Sequence, residues 1–168
     1  MIVQFQGEIR KDAIINHFSL DIEDIYKQIT QIVKNEVKIK YMGCIYRCLL
    51  QKSINENLFY KIEQDRFVIG FAICRFLKTK NILSIDKIGV HPDYRGKNIG
   101  SLLINQIKSK YNKIRIDVVS ENNIAINFYK KNGFIKTGTK ILGTNINVTI
   151  MIYEQWFIWK RNNYKTIN

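Results

Sequence analysis

The stretch from Asn81 to Val119 constrains the chain more than any other. It reads as an apolar strand, "NILSIDKIGV", then a turn with Pro92, then a basic loop with two glycines. An apolar helix pattern at Ile99, Leu102, Leu103 and Ile107 follows, and "KIRIDVV" closes the unit with Ile114, Ile116 and Val118 on one face. Strand, loop, helix and next strand in that order form a crossover unit, which sets the two strands side by side and parallel. Pro92, the one proline in the chain, presets φ for a tight turn, so the loop from Arg95 runs directly onto a helix N-terminus.

The remaining elements fit around that unit. "IVQFQ" reads as a first strand. Ser19 can cap a helix with apolar positions Ile22, Ile25, Ile29, Ile32 and Val33, and Val37, Tyr41, Ile45 and Leu49 continue the spacing in a second helix. "NLFYKIEQ", "RFVIGFAICRFL" and "NILSIDKIGV" form an antiparallel meander with turns at Gln64-Asp65 and Lys80-Asn81. A short helix over 122–132 is closed by Gly133, and "FIKTGTKIL" and "NVTIMIYE" are two closing strands. The expected fold is α+β in three layers. A mixed, mostly antiparallel sheet of about six to seven strands lies between helices on both faces. With no repeat and no linker rich in Gly, Pro or Ser, residues 1–168 read as one domain. The aromatic and then basic tail 155–168 either docks on it or meets a partner.

The net charge of +13 is unevenly spread. Residues 1–77 carry 11 Lys and Arg against 9 Asp and Glu, whereas residues 78–168 carry 16 against 5. Such a field suits a phosphorylated cofactor, an acidic substrate or nucleic acid, unless it reflects a lysine-rich composition alone. No apolar run approaches the roughly 18 residues of a membrane span, and "MIVQFQGEIRK" lacks the features of a secretion signal. A cytoplasmic protein without membrane contact is expected. The 3 cysteines and 2 histidines do not make a metal site. Cys44 and Cys48, four apart on a helix, read as buried thiols.

The basic loop has a chemistry of its own. The first N–H groups of a helix lack intrahelical partners and sit at the positive end of the dipole, where they can hold phosphate. Gly96 and Gly100 remove side chains from the approach, and Arg95 and Lys97 add charge. The Gly-Lys-Ser/Thr ending of a Walker loop and the dinucleotide glycine fingerprint are both absent.

"Arg95-Gly96-Lys97-Asn98-Ile99-Gly100" resembles the signature of the GNAT superfamily of acetyl-CoA-dependent N-acetyltransferases, with Asn98 where the family has its middle glycine. Asparagine tolerates left-handed backbone, which can preserve the loop. "ENNIAINFYKKNGF" resembles the second family motif at Asn122, Ala125, Tyr129, Gly133 and Phe134. The resemblance implies a parallel strand pair that splays apart and binds acetyl-CoA as acetyl donor. Ile88, Gly89 and Val90 would bond its arm through the main chain. Arg95, Gly96, Lys97, Asn98, Ile99, Gly100 and Ser101 would hold the phosphates, with Lys130 and Lys131 either assisting or merely solvated. Asn122 would contact the arm, cap its helix, or both. Gly89 inside a strand independently suits a bulge or a close ligand approach.

The implied reaction moves acetyl directly to a primary amine of unknown identity, without a covalent enzyme intermediate. It requires loss of a proton from the ammonium form, stabilisation of an oxyanion and protonation of the thiolate. Tyr129 would supply the last proton. Asp86 either receives the amine or pairs with a nearby lysine, Glu121 and Glu63 are reserves, and His91 reads as a turn residue. An RNA-linked acceptor such as aminoacyl-tRNA, or a ribosomal protein, is the alternative that uses the basic C-terminal half. A non-catalytic acyl-CoA-binding module is a further one. Family members often form homodimers.

Overall fold

The computed structural model describes residues 22–33, 43–65, 67–143 and 145–155. Ser19, Val37, Tyr41, the "IVQFQ" strand and the tail 156–168 lie outside the described residues. The elements are α1 (Ile22–Val33), α2 (Gly43–Asn55), β1 (Phe59–Gln64), β2 (Phe67–Leu77), β3 (Ile82–Val90), α3 (Ile99–Lys110), β4 (Lys113–Val119), α4 (Asn123–Lys131), β5 (Ile135–Leu142) and β6 (Ile146–Glu154). Two strands begin later than their apolar runs suggest. Asn57 and Asn81 adopt positive φ, at 54° and 48°, and so turn the chain just before β1 and β3.

The described sheet has six strands in the order β1-β2-β3-β4-β6-β5. Every neighbouring pair is antiparallel except β3 and β4, as the crossover through α3 requires. The final hairpin folds back so that β6, rather than β5, pairs with β4.

Alternation along β2 separates two cores. Ala72 and Cys74 pack with Ile99, Leu103, Ile104 and Ile107 of α3 and Tyr129 of α4. Phe71 and Ile73 point the other way and pack with Ile25, Ile29 and Ile32 of α1 and Leu50 of α2. Both faces of the sheet therefore carry helices, in the expected three layers. Gly70 lets α3 approach closely: a Cβ there would lie 2.6 Å from Ile99 Cγ2. Cys74 is buried, but Cys48 is exposed, contrary to the reading of Cys48 as a buried thiol. The apolar stripe of α2 runs through Leu50, which is 1% exposed, so Cys48 falls off the inward face. No helix among the described residues is long and apolar enough to cross a membrane.

Candidate active site

The parallel ladder is short. Leu83, Ser84 and Ile85 pair with Ile114, Arg115 and Ile116, and the pairing then stops. Both outer ladders continue, with Val90 still paired to Gly70 of β2 and Val119 to Val148 of β6. A gap therefore opens between 86–90 and 117–119, and the facing edges of both strands lack ladder partners. Two local features end the pairing. The β2–β3 register skips Asp86, because Ile73 faces Lys87 while Cys74 faces Ile85, and such a bulge bends its strand. The next residues in parallel register are Asp86 and Asp117, and like charges set opposite each other oppose pairing.

The bulge thus falls at Asp86 rather than Gly89. Gly89 also lets the α1 side of the sheet pack closely, since a Cβ there would lie 2.7 Å from Phe71 Cε1 and 3.3 Å from Ile32 Cγ2. Ile88 and Val90 are partly buried on the α3 side of the sheet.

Helix α3 starts beside this gap. Asn98, its N-cap, has φ 60° and ψ 9°, and no side chain caps the helix. The left-handed backbone that glycine favours is thus supplied by asparagine. Asn98→Gly is accordingly expected to change stability by a few tenths of a kcal/mol at most, whereas Asn98→Val costs about 1–2 kcal/mol. Urea denaturation of both variants checks this pair. Gly96 has φ +77° and open space where a side chain would stand. Gly100 differs: its Cβ would lie 3.0 Å from Phe128 Cζ, so its bareness lets α4 pack against α3. Ile99 is 1% exposed. Ile99 and Gly100 consequently offer the loop only their main-chain groups. Arg95 Nε donates to the Val90 carbonyl at 3.2 Å, and Lys97 Nζ stands 5.0 Å above the Tyr94 ring. The uncapped helix start and the open glycine fit a phosphorylated ligand, and the unpaired edge of β3 fits an amide-bearing arm.

His91 holds the turn, as expected: its N–H donates to Ile69 at 2.8 Å, and its Nδ1 accepts from the Asp93 N–H at 3.4 Å. Asn122 Oδ1 accepts from the Ala125 N–H at 3.0 Å and so caps α4. Two turns on, Tyr129 is 5% exposed. Its ring lies edge-on to Phe128 at 5.1 Å and to Phe134 at 5.6 Å. The last turn of α4 is clamped by Lys108, whose Nζ donates to the Asn132 carbonyl and sits 4.5 Å over the Tyr153 ring.

The opposite face of the gap is polar. Asp86 is held by Arg75 through bonds of 3.1 and 2.9 Å and by the Ser84 hydroxyl at 3.2 Å. Its partner is an arginine from β2 rather than a lysine. Asp117 accepts from Arg115 at 2.8 and 3.2 Å and from Lys140 at 2.6 Å. Asp117 escaped the sequence reading. Its signal was the polar phase of "KIRIDVV", where it sits as far beyond the start of the ladder as Asp86 does.

Burial pushes the Asp117 carboxyl up, but hydrogen bonds from Arg115 and Lys140, helped by their charge, outweigh it and hold the carboxyl below its ordinary value. A carboxyl lowered by folding stabilises the folded state above its unfolded pKa of about 3.9, and that contribution disappears as pH falls through the folded value. Asp117→Asn is therefore expected to lower the urea midpoint at pH 7 and to leave it nearly unchanged at pH 2. An equal loss at both would contradict the ionic role. Cys74, by contrast, has its thiol raised by burial and then by Asp86, which leaves it inert as a nucleophile.

Residues 55–136 match the profile of the acetyltransferase (GNAT) domain. An uncharacterized N-acetyltransferase of Gracilaria tenuistipitata var. liui is 32% identical over 84 residues, 49% of this chain and 46% of that protein. One of Methanocaldococcus jannaschii is 30% identical over 107 residues, 58% of this chain and 46% of that protein. The matches thus span about half the length of these curated relatives. Among solved structures, Ard1 from Thermoplasma volcanium superposes with a TM-score of 0.67 at 20% identity, covering 80% of this chain and 93% of that one. The NatC complex bound to Gag peptide and CoA gives 0.64 at 21% identity, covering 80% and 94%. The shortened parallel ladder and the uncapped start of α3 both lie within residues 55–136, the part of the chain that matches the acetyltransferase (GNAT) domain.

Proposed function

We propose that this chain transfers acetyl from acetyl-CoA to a primary amine by direct attack. One observation carries the reading: the β3–β4 ladder stops at Ile85 and Ile116 while both flanking ladders continue. That leaves a slot through the sheet, with a helix N-terminus on one side and two carboxylates on the other. A neighbour of the same fold, NatC, is described as bound to CoA.

Acetyl-CoA, when bound, supplies an acetyl group activated as a thioester. The protein's part is to bind, orient and move protons. The main-chain groups of 88–90 meet the arm, and the N–H groups of Ile99, Gly100 and Ser101, with Arg95 and Lys97 nearby, meet the phosphates. Asp86 and Asp117 draw the ammonium form of the acceptor to the far face. Both carboxylates are already engaged by cationic side chains. The amine's proton accordingly passes on to solvent, and the rate rises with pH as the neutral amine grows in. Tyr129 Oη gives its proton to the departing sulfur, a match between a phenol and a thiolate of similar basicity. The inert Cys74 thiol supports direct transfer, since a covalent route needs an activated nucleophile.

The test incubates the full chain with acetyl-CoA and a panel of small amines, peptides and charged tRNA while following free thiol. Acceptor-dependent release of CoA supports the reading. No release with any acceptor, together with no heat of acetyl-CoA binding in calorimetry, removes it.

A further inference from the structure

The end of the sheet remote from the gap carries a second hollow, of about 700 Å³, lined by Phe76, Asn81, Lys110, Tyr111, Lys113 and Gln155 among others. It lies where α3 ends and β4 begins, and its size falls within the roughly 300–1,000 Å³ of small-ligand sites. Nothing in the acetyl-transfer reading uses it.

The walls combine three chemistries. The first is aromatic: the Phe76 and Tyr111 rings are in tilted contact, with centroids 6.1 Å apart at an angle of 40°. The second is cationic. Lys110 Nζ reaches over the Tyr60 ring at 5.5 Å. Lys78 and Lys80 occupy the exposed 3₁₀ turn that ends at Asn81, whose N–H bonds back to the Lys78 carbonyl at 3.2 Å. Lys113 is bound to Glu154 at 3.2 Å, so the cations that face no carboxylate among the described residues are Lys110 of the lining and Lys78 and Lys80 on the turn that leads to Asn81. The third is amide. Asn81, Asn112 and Gln155 line the hollow and can both donate and accept.

We propose that this hollow, between the β2–β3 turn and the end of α3, binds a segment of single-stranded RNA. A base stacks against Tyr111 and Phe76, the phosphates run along Lys78, Lys80 and Lys110, and the amides meet the base edge and the ribose hydroxyl. Rings give sequence-tolerant stacking, lysines a salt-sensitive grip, and amides partners for the 2′-hydroxyl. The net charge of +13, concentrated after residue 77, adds a field that draws in a polyanion.

The experiment measures fluorescence anisotropy of a labelled, unstructured RNA of about ten nucleotides with the full chain across a range of salt. Three phosphate contacts predict a log–log salt slope of about −2. Tyr111→Phe should bind as the native chain does, Tyr111→Leu should weaken binding roughly 5- to 100-fold, and Lys78→Glu/Lys80→Glu/Lys110→Glu should remove most of it. That triple variant should still transfer acetyl to a small amine, and saturating acetyl-CoA should not displace the RNA. If a variant misfolds, ultraviolet crosslinking of the native chain decides by mass spectrometry. Adducts at Tyr111 or Phe76 support the site. Adducts confined to residues 95–101 or 156–168, displacement by acetyl-CoA, or no binding at low salt would overturn it.

Discussion

Tyr129→Phe lowers kcat by about 100-fold or more while the affinity for acetyl-CoA stays within about two-fold. The change removes the hydroxyl and keeps the ring. The Tyr129 ring keeps its edge-on contacts with Phe128 and Phe134, so α4 stays in place and the slot keeps its shape. In the proposed mechanism the Oη proton is needed only as the thiolate departs, and removal of an interaction made only in the transition state lowers kcat and kcat/KM together. Steady-state kinetics with a limiting amine, beside calorimetry of acetyl-CoA binding, separates the two effects. Undiminished turnover would leave Tyr129 as a core aromatic. A drop in cofactor affinity with unchanged kcat would make it a binding residue.

Phe134→Ala is the largest stability change expected, about 3–5 kcal/mol. Phe134 is 2% exposed and joins two elements. Its ring meets Tyr129 at 5.6 Å and Tyr153 of β6 at 5.8 Å, and its N–H donates to the Tyr129 carbonyl at 3.0 Å. Lys108 covers the same ring at 5.8 Å. Truncation opens a cavity among groups that cannot readily collapse, because β6 is fixed to β4 along its length. The thermal midpoint should fall by on the order of 10 °C for a chain of this size. Below that midpoint the variant should also lose turnover, since Tyr129 forfeits the wall that orients it. A fall of only a degree or two would mean that the aromatic contacts contribute little.

Much of this architecture was legible in the residues, because periodicity reports which side of an element is buried. The alternation of Ile114, Ile116 and Val118 and the spacing of Ile99, Leu103 and Ile107 gave β4 and α3 their inward faces, and these six are buried as expected, whereas Leu102, read into the same helix stripe, is 36% exposed. Periodicity does not report which residue of one strand faces which residue of another. The length of the β3–β4 ladder, the bulge at Asp86 and the pairing of β6 with β4 depend on register across the sheet. Asp117 was missed for that reason: on its own strand it is an ordinary outward residue, and only its position across from Asp86 marks it. Gly100 shows the same limit. Its place in a phosphate-loop motif was visible, but its service as a seat for the Phe128 ring required the angle between α3 and α4.

The slot between β3 and β4, with the first turn of α3, is expected to receive acetyl-CoA. Hydrogen–deuterium exchange with and without acetyl-CoA tests it at the atoms concerned. The edge N–H groups over 86–90 and those of Ile99, Gly100 and Ser101 have no ladder or cap partner across the slot. Peptides covering 86–101 should therefore exchange markedly more slowly with the ligand present, while β5 (Ile135–Leu142), on the sheet's far edge, should not change. Unchanged exchange over 86–101 at a saturating concentration, or protection confined to other elements, would contradict the account.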